Sequence, residues 1–183
     1  MQGCIRRFNR IGVLALVAAA VVPTAASACE RDGAEPYELS AKEARAAVFC
    51  LINERRADHG LGKLRADDRL ERAAQRHSKS MDERNYFSHV GPGGSSPQSR
   101  IQSTGYMSGA SAWGIAENIR WGRAGRGSPK AAVAAWMNSA AHRSALLSGR
   151  YEHVGVGVAI GSPTGGGENN TAIYTTTFGY RSG

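Results

Sequence analysis

The sequence predicts an α+β domain, and three observations carry that prediction. Apolar side chains recur at helical spacing in separate stretches between Ala44 and Ala140, each framed by capping or breaking residues. From Val154 the period changes: Val154, Val156, Val158 and Ile160 alternate with Gly155, Gly157, Ala159 and Gly161, as in a strand. A second β-rich run, AIYTTTFGY, follows the Gly-rich loop Gly161 to Asn170 and reads as the returning strand of a hairpin.

Ahead of that domain, residues 1–28 carry the marks of a secretory signal peptide: Arg6, Arg7 and Arg10, an apolar run from Ile11 to Val22, then Ala26-Ser27-Ala28. A helix over that run reaches only about 18 Å, short of the roughly 30 Å of a bilayer's hydrocarbon core, which argues against a retained anchor. No later stretch is apolar and long enough to span a membrane. Loss of the signal, with its three arginines and no acid, takes the net charge from +8 to +5. The remaining basic excess is spread thinly, without a Lys/Arg run, so it describes a solvated surface and excludes a nucleic-acid partner. Residues 29–183 are enough for one domain with its own core, expected to be a monomer.

Cys4 falls within the signal, leaving Cys29 and Cys50. In an oxidising compartment two cysteines read as one disulfide. The competing reading makes Cys29 a lipid-modified first residue, although Ala26 stands where lipoprotein signals normally carry Leu. The two exclude each other. Residues 29–39 form a polar leader broken by Gly33 and Pro36, and the domain proper occupies 40–183.

Ser40 and Glu43 have capping-box spacing, and Ala44, Ala47, Val48, Leu51 and Ile52 follow at helical period, so a first helix runs to about Ala57 and ends at Gly60. His59, at its end, suits the helix dipole and needs no functional reading. Leu61 to Arg65 is a connector. A second helix begins at Ala66 or Asp67, with Leu70, Ala73, Ala74, His77, Ser78 and Met81 on its buried face. His77 is thereby a core histidine bonded to backbone rather than a ligand. NYFSHVGPGGSSP breaks the period and puts His89 on a loop. Arg100, Ile101, Gly105 and Tyr106 indicate a short helical turn and a bend, and Met107 to Trp113 has no assignable pattern.

Ile115 to Trp121 has the length of a strand or extended loop. The following GRAGRGSP has phosphate-loop glycine spacing, but Ser128 stands at the lysine position and Pro129 follows. Ser128 is better read as the cap of a third helix starting at Pro129, with Ala132, Val133, Trp136, Met137 and Ala140 as its stripe. NSAAHRSALL interrupts and restarts the helix, placing His142 near the start of a further turn. Gly155 and Gly157 leave one face of the later strand bare, which predicts close approach of another backbone.

Within GIAENIRWG, Glu117 lies among Ile115, Ala116 and Ile119. A carboxylate half-buried there needs a partner, and His89 and His142 are the proposed ones.

Six landmarks stand in fixed order: LINERR (51–56), YFSH (86–89), AENI (116–119), AWMNSAAHR (135–143), VGVGVA (154–159) and TTTFGY (175–180). Together they resemble the CAP superfamily (cysteine-rich secretory proteins, antigen 5 and pathogenesis-related proteins) in its compact bacterial form, over about residues 40–181. The resemblance implies a three-layer α-β-α sandwich with a central antiparallel sheet. It also implies that His89, Glu117 and His142 converge on a shallow cleft. Where many relatives carry a second acid, three residues after a tryptophan, this chain has Ser139 after Trp136.

Two imidazoles and a carboxylate suit a divalent metal, with Zn²⁺ the natural candidate. With 27 and 24 residues intervening, only the fold can bring the three together. No nucleophile motif is evident, so the resemblance favours a secreted, non-enzymatic module. Its cleft, lined by His89, Glu117, Ser139 and His142, would bind a small apolar molecule, a metal ion or a cell-envelope component. The alternative is an extracellular hydrolase, protease-like, with His89 or His142 as base or a metal-activated water. A third reading makes the triad pure scaffold in an adhesion unit.

Overall fold

The computed structural model describes residues 29–166 and 169–183. The predicted signal segment, 1–28, lies outside the described residues. Helix α1 spans Ala41–Asp58, and Ser40 and Glu43 close the predicted capping box. A two-residue strand β1 (Arg65–Ala66) precedes α2 (Asp68–Glu83), whose cap is Asp67. Then come α3 (Pro97–Ser103), β2 (Ala112–Arg123), α4 (Pro129–Asn138), α5 (Ala140–Leu146), β3 (His153–Ile160) and β4 (Thr171–Ser182). The sheet order is β1-β3-β4-β2. All pairings are antiparallel except the short β1–β3 one.

Side-chain alternation sorts the sheet's two faces. Val154, Val156, Val158, Tyr174 and Phe178 pack with α1, α4 and α5 around Leu51, Ile52, Trp136 and Leu146. Ile115, Ile119 and Ile173 face the opposite way, towards Leu70 and Met81 of α2 and Ile101 of α3. The outcome is the α-β-α sandwich. At Gly155 and Gly157 a Cβ would run into the α2 backbone at Leu70–Glu71 and Ala74–Gln75, so the bare face of β3 admits α2, as its composition predicts.

Three details differ from the sequence prediction. The unassigned stretch before Trp113 enters β2, because pairing with β4 runs on to Ala112↔Ser182. The connector after α1 is partly strand, since Arg65 and Ala66 find partners on β3. Ser139 adopts extended backbone (φ −102°, ψ 120°), so α4 stops at Asn138 and Ala140 opens α5, exposed, instead of extending the buried stripe.

Cys29 and Cys50 form a disulfide across 21 residues of chain, which ties the leader to α1 and removes the basis for lipidation of Cys29. The LINERR landmark is structural. Asn53 exchanges two hydrogen bonds with the Leu64 backbone. Arg56, 3% exposed, donates to the carbonyls of Gly62, Leu146 and Ser148. Among the described residues no helix is long and apolar enough to cross a membrane.

Candidate functional site

Glu117 shares its face of β2 with Ile115 and Ile119, and its side chain is only 2% exposed. A carboxylate so deep must be matched. The main match is Arg100 of α3, whose Nη2 lies 3.0 Å from Oε1 and 2.8 Å from Oε2. His89, on the loop after α2, places Nδ1 2.8 Å from Oε1. Arg100 also donates to the carbonyls of His89 and Ser95, fixing the loop that carries the imidazole. The sequence prediction paired Glu117 with histidines and passed over Arg100. A usable signal existed, because a buried carboxylate at neutral pH calls for a permanent cation and arginine is the side chain that supplies one.

His77 is 1% exposed and meets the backbone as predicted, with Nε2 3.0 Å from the Ser88 carbonyl. Its Nε2 also lies 3.9 Å from Glu117 Oε1, a proximity helical spacing alone does not reveal. Burial pushes its pKa down from 6.5 to about 4, outweighing the attraction of the Glu117 carboxylate.

His142 reaches the site from the other layer. Asn118 donates to its backbone carbonyl at 3.0 Å, which pins α5 against β2. Its Nδ1 lies 2.8 Å from Ser139 Oγ. Ser139 occupies the N-cap of α5, yet its hydroxyl makes no capping bond and is turned to the imidazole instead. Burial, then the neighbouring charges of His89 and Arg120, lower the His142 pKa.

Because β2 is the sheet's edge strand, one cleft can open onto both layers, with His89 on one rim and His142 on the other. Its volume is about 580 Å³, and Phe87, Val90, Ile119 and Trp121 give it an apolar wall. Arg120 also lines it, with Nε buried and without a hydrogen-bond partner. Glu117 sits behind this wall rather than in it. Each histidine of the cleft engages its Nδ1, with Glu117 or Ser139, and leaves Nε2 without a protein partner among the described residues.

That arrangement revises the proposed metal set. Both Glu117 oxygens are engaged by Arg100, so Glu117 is not available as a direct ligand and instead orients the His89 imidazole. The ligand atoms of His89, Glu117 and His142 are not gathered within 4.8 Å of one another; among the described residues only Cys29, Cys50 and Glu54 are, and two of those are disulfide sulfurs. The donors left for any divalent ion at the cleft are the two imidazole Nε2 atoms, with Glu117 hydrogen-bonded behind His89.

The sequence profile of the cysteine-rich secretory protein family, CAP, matches residues 49–178, from the second half of α1 into β4. The chain belongs to this family. Among curated relatives, the chain is 32% identical over 139 residues to the uncharacterized protein YkwD of Bacillus subtilis, covering 76% of this chain and 51% of that one. It is 41% identical over 111 residues to the uncharacterized membrane protein YlbC of the same organism, covering 61% of this chain and 30% of that one. The CAP chain therefore spans about half the length of one curated relative and less of the other.

Solved structures agree on the architecture. An outer surface protein of Borrelia burgdorferi superposes with a TM-score of 0.64 at 23% identity, covering 79% of this chain and 97% of that one. An extracellular protein of Bacillus anthracis containing an SCP domain superposes with a TM-score of 0.58 at 29% identity, covering 76% and 43%.

Proposed function

We propose that this protein is a secreted, non-enzymatic CAP binding module, and that its cleft takes its ligand through the paired imidazoles of His89 and His142. The observation that carries this reading is their geometry: both rings are anchored through Nδ1, and both leave Nε2 free at one 580 Å³ cleft. A divalent ion such as Zn²⁺ would be held by these two nitrogens and would supply a Lewis-acidic contact for an oxygen of the ligand. Phe87, Val90 and Trp121 would cover its apolar part, and Arg120 offers an unpaired donor to an acceptor or anionic end. Export is supported by the signal-like N-terminus, by the disulfide, and by relatives that are themselves described as outer-surface and extracellular proteins.

Calorimetric titration of Zn²⁺ into the purified chain tests the reading. Binding is expected near neutral pH, weaker in mild acid as the imidazoles take up protons, and lost in His89→Ala/His142→Ala. Binding of equal strength in that variant would remove the histidine pair from the function.

A hydrolase remains the second reading because of one contact, Ser139 Oγ at 2.8 Å from His142 Nδ1. This resembles a nucleophile beside its base. Among the described residues no carboxylate bonds to His142, since Glu117 is committed to Arg100 and His89. The same double variant would abolish any such activity.

A further inference from the structure

A second pocket, of about 380 Å³, lies beside α2 and α3 and shares no lining residue with the cleft. We propose that it binds a phosphoryl group, presented as a phosphate ester or as inorganic phosphate.

Arg76, Ser80 and Arg84 follow one another at four-residue spacing, so α2 and its cap present all three on one face. Arg100 of α3 stands on the opposite side, and no Asp or Glu lines the pocket. Arg100 is neutralised by Glu117 and held rigid, its side chain 10% exposed. Arg76 and Arg84 differ: their side chains make no ion pair or hydrogen bond among the described residues. Two guanidinium charges therefore converge, uncompensated, on one concavity. Helix surfaces ordinarily intersperse such charges with acids, as Lys79 and Glu83 do a turn away.

The hydroxyls point to the same ligand. Tyr86 donates to Ser80 Oγ at 3.0 Å, which leaves the Ser80 proton for an acceptor in the pocket. Guanidinium forks and a hydroxyl donor suit a tetrahedral oxyanion, which offers several acceptor oxygens, better than one planar carboxylate. The pocket is roomier than a single ion needs, so the group that carries the phosphate can enter with it. Its two aromatic rings are committed, Tyr86 through its hydroxyl to Ser80 and the buried His77 to the Ser88 carbonyl, leaving no platform suited to stacking a base.

The experiment is an amide chemical-shift titration of the full mature chain with inorganic phosphate, glycerol 3-phosphate and a glycerophosphodiester. Saturable shifts centred on Ser80, Arg84 and Ser99 are expected, with at least tenfold weaker binding in Arg76→Gln/Arg84→Gln. The charge-matched control Arg72→Gln/Arg126→Gln, at exposed positions outside the pocket, should bind as the parent does. Preference for the monoester or the diester over the free ion identifies the natural source. No saturable shift with any of the three would overturn the proposal, as would equal weakening in both variants or shifts centred on Arg120 and His142. The first two of these outcomes leave untouched the histidine pair, whose Zn²⁺ titration reads a separate set of residues, and the third would move the anion to the cleft.

Discussion

Glu117 shows how one buried charge organises its neighbours. Its carboxylate holds Arg100, Arg100 holds the His89 and Ser95 carbonyls, and His89 returns its ring to the same carboxylate. Removing the guanidinium while keeping the acid would leave a buried charge without its main partner, a change that typically costs about 3–5 kcal/mol. Arg100→Gln should therefore lower the denaturant midpoint strongly. Adding Glu117→Gln should recover part of the loss, because the two groups belong to one network. Strictly additive losses in the double-mutant cycle would mean that the pair is not the unit described here.

The contact between α2 and β3 depends on glycine. Gly157 faces the backbone at Ala74–Gln75, and any Cβ there requires helix and strand to move apart. Overpacking of this kind costs about 1–3 kcal/mol or more. Gly157→Ala should fall at the upper end, since the obstacle is main chain and not a side chain that can swing away. Gly62→Ala, where a Cβ meets open space, is the matched control and should be nearly neutral. Equal unfolding midpoints for the two variants would show that α2 is not seated by the bare face of β3.

For the molecule as a whole, the buried imidazole of His77 links stability to pH. Its folded pKa of about 4 lies below the ordinary 6.5, so between these values the unfolded chain takes up a proton that the native state refuses. Stability is thus fully present above about 6.5 and falls as the pH drops towards 4, by roughly 3 kcal/mol in total for a shift of this size. His142 and His153, also lowered chiefly by burial, act in the same direction. Urea unfolding across this range should show the decline, and His77→Asn should flatten it. An unchanged slope in the variant would assign the acid sensitivity to other groups.

Much of this was legible in the chain because it is local. The cap of α1 at Ser40, the start of α4 at Pro129, the burial of His77 and the bare face of β3 each follow from residues within a few positions of one another. The histidines of the cleft could be named only through the ordered landmarks of a family, since no spacing rule joins His89 to His142. Arg100 stayed hidden for a related reason. It is one arginine among many, and it meets Glu117 only because α3 packs over the particular face of β2 on which the register with β4 places that carboxylate. Local periodicity decides which elements form and which side of each is buried; the pairing of charges across layers depends on how those elements dock, and only the tertiary structure decides that.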